Sequence, residues 1–71
     1  MPRYLVTTHR AQRGTAPSAE EAVKADPDVT LVNATDPQMV TIEASEAAAD
    51  RLRAKLQQTH FVEPEIRRDL H

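Results

Sequence analysis

The residues of this chain best placed to do chemistry lie near its end. In Phe61-Val62-Glu63-Pro64-Glu65 the two carboxylates alternate, so an extended backbone puts both on one side, and Pro64 between them stiffens the segment. Solvated surface carboxylates are the plain alternative for such a pair. The other reactive residue types offer less. His9, His60 and His71 have a spacing that matches no metal-ligand motif, and no two of them stand at i, i+4. Ser18 and Ser45 sit where helix caps belong and lack the context of a nucleophile elbow. Gly14 is the only glycine, so no glycine-rich loop can cradle phosphate. No catalytic residue, metal site or cofactor is predicted, and the chain is read as a non-enzyme.

The composition narrows the partners. The chain has 71 residues, enough for one domain with a small core. Aromatics make up 3%, so the core must be built from small pieces, and a stability below ~5 kcal/mol is expected. Without cysteine, neither a disulfide framework nor a Cys-based zinc site can form. Nine basic against eleven acidic residues give a net charge of -2, which argues against a nucleic-acid surface. No apolar run approaches the ~20 residues of a membrane span. No signal-peptide h-region follows Met1, so a cytoplasmic location is expected if Met1 is the native start.

The elements that would position Glu63 and Glu65 follow from pattern. Tyr4 to Thr8 reads as a strand, and the polar stretch His9 to Thr15 as a loop in which Arg10 and Arg13 are solvated. Ser18-Ala19-Glu20-Glu21 is a capping box opening a helix that Asp26-Pro27 stops near Lys24 or Ala25. Val29 to Ala34 and Met39 to Ala44 are strands joined by the turn Thr35-Asp36-Pro37-Gln38, an antiparallel hairpin. Ser45 caps a second helix, about Glu46 to Gln57. Its apolar face is Ala48, Ala49, Leu52 and Leu56, and Asp50, Arg51, Arg53 and Lys55 form a solvated charged face. His60 to Glu63 is a fourth strand, confined to an edge or ended by Pro64. The order β-α-β-β-α-β predicts an α+β, ferredoxin-like domain over residues 1–65: a four-stranded antiparallel sheet, two helices on one face and the other face open. Residues 66–71 form an extended tail.

The segments Met39-Val40-Thr41-Ile42-Glu43, Ser45 to Leu56 and His60 to Glu65, with Arg3-Tyr4-Leu5-Val6 ahead of them, resemble the subtilisin propeptide-type peptidase inhibitor family. The strong part of the resemblance covers roughly half of the chain, and the first helix is shorter than is usual there. The resemblance implies a free-standing inhibitor or an intramolecular chaperone of a subtilisin-like serine protease. The open sheet face would pack on two surface helices of the enzyme. Glu63 and Glu65 match the acidic positions that cap those helices, a contact worth ~0.3–1 kcal/mol each. The tail Ile66, Arg67, Arg68, Asp69, Leu70 and His71 would lie in the substrate cleft as a product mimic, paired through its backbone to strands of the cleft. In that pose Arg68 stands four residues before the cut, Leu70 two before it and His71 at it. Many subtilisins favour apolar residues at the first and last of these positions. Arg68 and His71 therefore imply acidic pockets in the partner, a weak inhibitor, or a binding fold without inhibition.

A competing reading needs no protease. An open sheet face on a small domain also suits a non-inhibitory interaction module, a weak homodimer or a ligand-binding domain, with Tyr4, Val6, Thr41 or their strand neighbours in the contact. The plain reading of the tail is a frayed terminus. RNA-type stacking on the sheet would have only Tyr4 and Phe61 to use.

Overall fold

The computed structural model describes residues 1–65. The elements are β1 (Arg3–Thr8), a short 3-10 helix (Arg10–Gln12), α1 (Ala19–Lys24), β2 (Thr30–Asp36), β3 (Met39–Glu43), α2 (Glu46–Leu56) and β4 (His60–Pro64). They form a small α+β domain: one four-stranded sheet in the order β2-β3-β1-β4, every neighbouring pair antiparallel, with two helices.

Local chemistry explains the helix ends. Ser18 Oγ accepts from the Glu21 amide at 3.2 Å, and Ser45 Oγ accepts from the Ala48 amide at 3.1 Å, each satisfying a donor that the first turn leaves without an intrahelical partner. The Glu21 carboxylate takes the Ser18 hydroxyl at 3.3 Å rather than reaching back to a backbone N–H, so the capping box closes side chain to side chain. Asp26 stops α1 as expected: its carboxylate accepts from the Asp28 amide at 2.9 Å across Pro27, an Asx turn that competes with another helical turn. Gly14 turns the loop before α1 at φ 87°, a backbone region that residues with a Cβ rarely adopt.

The hairpin departs from the regular ladder that alternation predicts. Its loop is the two residues Pro37-Gln38, between the register partners Asp36 and Met39. Proline fixes a negative φ, and among the described residues none other than Gly14 has a positive one, so the turn cannot be of the primed type that matches the strand twist. The pairing of β2 with β3 accordingly slips twice, between Leu31 and Asn33 and between Asn33 and Asp36. Asn33 contributes by drawing the Thr35 amide and hydroxyl to its own side chain at 2.9 Å each. As a result Leu31 and Ala34, three apart rather than two, are the β2 residues that pack against the core.

The core lies between the sheet and the helices. Tyr4, Val6, Val40, Ile42 and Val62 point to that side and meet Ala19 and Val23 of α1 and Ala48, Ala49 and Leu52 of α2 in a single cluster. Val6, Ile42 and Leu52 are fully buried. The alanines let both helices sit close to the sheet at the cost of little buried area per residue.

The charged side of α2 is engaged rather than simply solvated. Arg51 reaches Asp28 at 2.7 Å and Asp26 at 3.8 Å, tying α2 to the loop after α1. Arg53 pairs with Asp50 at 2.8 Å and donates to the Val62 carbonyl at 3.1 Å, so α2 occupies an outward-facing acceptor of β4, an edge strand.

Candidate functional site

The helix-free face of the sheet is built from the residues that alternate with the core. Register sets them in rows. The first crosses Asp36, Met39, Thr7 and Phe61; the second Asn33, Thr41, Leu5 and Glu63; the third Thr30, Glu43 and Arg3. Glu65 follows β4, its amide donating to the Arg3 carbonyl at 2.9 Å, and extends the third row. The face is therefore graded: apolar at the end near Phe61, charged at the end near Arg3.

At the apolar end Phe61 is 53% exposed and Met39 50%, large apolar side chains separated by Thr7 alone. The His9 ring covers one side of Phe61, centroids 4.1 Å apart and planes tilted by 47°. At the charged end Arg3 Nε holds Glu43 at 3.4 Å. Glu63 lies between the two ends, exposed, next to Leu5 in register, and its carboxylate has no ion pair among the described residues. Glu65 is half-buried.

The two carboxylates singled out from sequence are thus both at positions of one parity, at the end of an edge strand and next to an open face. Ile66, Arg67, Arg68, Asp69, Leu70 and His71, assigned to the tail, lie outside the described residues. One expectation is corrected. Tyr4 and Val6 cannot join Thr41 in a contact on the open face, because they pair with Ile42 and Val40 and are buried beneath the helices, whereas Thr41 pairs with Leu5 on the other side. Leu5 and Thr7, the strand neighbours of Tyr4 and Val6, fill the open face instead, together with Met39 and Phe61. Their odd numbering puts them on one side with Thr41 and Glu63, but parity alone does not say which side is open.

Among the described residues, no group of three or more His, Asp or Glu side chains is placed to hold a metal ion. His9 stacks on Phe61, and His60 is buried on the helix side. Ser18 and Ser45 are occupied as caps. No helix of the described residues is long and apolar enough to cross a membrane. No family model, no curated protein and no solved structure matches the chain.

Proposed function

We propose that the chain binds a subtilisin-like serine protease, as inhibitor or folding assistant, with the helix-free sheet face on the enzyme and residues 66–71 in its substrate cleft. The observation that carries this reading is the pairing of Phe61 and Glu63 on that face. An exposed aromatic and an exposed carboxylate with no ion pair among the described residues stand two residues apart on the edge strand that precedes residues 66–71. Half-exposed Phe61 and Met39 offer apolar area to a partner surface. Glu63 offers a carboxylate suited to a helix N-terminus, and Glu65 takes the second acidic position of the family pattern.

A ferredoxin-like architecture belongs to the same proposal. It is supported by the element order and by the antiparallel pairings, which make β1 parallel to β2 with β3 between them and β3 parallel to β4 with β1 between them. Each helix then bridges two parallel strands split by a third, which is the split βαβ pattern.

The test is inhibition of purified subtilisins by the full chain and by a chain ending at Glu65. The shorter chain should keep its far-UV circular dichroism and lose inhibition. Equal behaviour of the two across a panel of such proteases removes the tail from the mechanism. Phe61→Asp should abolish binding measured by surface plasmon resonance, and unchanged binding removes the sheet face from it.

The exposed Met39–Thr7–Phe61 row also favours a second reading, self-association through the same face. Sedimentation velocity at micromolar concentration separates the two. A monomer that still binds protease excludes self-association as the use of this face, and a dimer that Phe61→Asp dissolves supports it.

A further inference from the structure

His60, the first residue of β4, is 3% exposed and hydrogen-bonded at both ring nitrogens. Nε2 lies 3.0 Å from the Pro17 carbonyl and Nδ1 2.6 Å from Thr59 Oγ1. A carbonyl only accepts, so Nε2 carries a proton, while the bond between Nδ1 and the Thr59 hydroxyl can run either way; in the neutral ring Nδ1 accepts it. Pro17 directly precedes the α1 cap Ser18, and the His9 amide donates to the Thr59 carbonyl at 2.8 Å. The segment 9–18 is thereby fastened near both of its ends to Thr59 and His60.

A second proton on this ring would be costly where the ring sits. The Thr59 hydroxyl could turn toward the Leu56 carbonyl, 3.4 Å away, and accept from Nδ1–H, so hydrogen bonding survives. The Pro17 carbonyl favours that charge, but no counter-ion offsets it. Among the described residues no carboxylate lies within ion-pair distance of the ring. Its ring partners, Thr59 in the turn after α2 and Pro17 before α1, and its register partner Thr8 of β1 carry no ionisable side chain. His9, at the end of β1, is the ionisable group that acts on it, and a cationic His9 repels a second charge.

We infer that His60 is a proton-sensitive latch: the neutral ring fastens segment 9–18 to the start of β4, and acid opens that segment because the ring takes up a proton by leaving its buried site. Desolvation by burial holds its pKa below the usual 6.5, against the Pro17 carbonyl and with help from His9. The unfolded ring thus binds protons more readily than the folded one. The latch is fully closed above pH 6.5 and loses its stabilisation as pH falls toward the folded pKa. This device belongs to the fold and does not depend on what docks on the sheet.

The intact protein tests it by histidine NMR titration and amide exchange between about pH 7.5 and about pH 5. Protection of the His9 amide, corrected for intrinsic exchange, should fall by up to about tenfold per pH unit, the limit for one proton, and ahead of the β1–β3 ladder amides. His60→Gln should flatten that dependence. A His60 resonance that titrates at or above 6.5 with His9 protection intact overturns the latch, as does a folded His60→Gln variant with the wild-type slope. If His60→Gln fails to fold, the wild-type titration decides alone.

Discussion

The two faces of the sheet are made of alternate residues of the same strands, yet they do different work. On one side Val6, Val40, Ile42 and Val62 are closed over by Ala19, Val23, Ala48, Ala49 and Leu52. On the other, one residue further along each strand, Thr7, Thr41 and Glu63 share the surface with half-exposed Met39 and Phe61. In β1, β3 and β4 the core therefore takes the even-numbered positions and the open face the odd-numbered ones, while the slips of β2 break that parity. Small residues on the covered side keep the core thin, so a domain of this size leaves little margin when that side is altered.

The sharpest test of this division is a charge moved by one residue. Val6→Asp buries an unpaired carboxylate at a fully covered site and should leave the chain unfolded by circular dichroism. Thr7→Asp, its neighbour on the open side, should fold, and equal damage from both would erase the distinction. Leu52→Ala should cost about 2–5 kcal/mol in urea titration, enough to exhaust most of the stability of a domain this small. Ser45→Ala, which strips the cap from α2, should cost about 1 kcal/mol on the same assay. Phe61→Ser loses its stack on His9 and should cost less than about 1 kcal/mol, yet abolish protease affinity if the open face is the docking surface. Glu63→Gln should shift stability by less than about 0.5 kcal/mol and weaken only binding.

Much of the fold is legible because its signals are local. Ser18 and Ser45 each mark a helix start through a hydrogen bond three residues away, and Asp26-Pro27 marks a stop through an Asx turn. The leucine and alanine spacing of α2 names its buried side. The hairpin was legible as a hairpin but not in its register, since the slips near Asn33 arise where a side chain competes with a partner strand for the same amide. For the candidate site, Glu63 and Glu65 could be placed on one side of a strand, but which side of the sheet that was could not. Tyr4-Leu5-Val6 and Phe61-Val62 each put apolar residues at both parities, so the pattern within either strand fits two answers.

Sequence alone determined the order of the four strands and two α-helices and the caps that open those helices, because each depends on neighbours a few residues away along the chain. Only the tertiary structure decided that Phe61 faces outward while His60 is buried against Pro17, 43 positions earlier. Strand alternation lets one of two adjacent residues point inward, and the choice falls to whichever parity lets Val62 meet Val6 and the helices close over both.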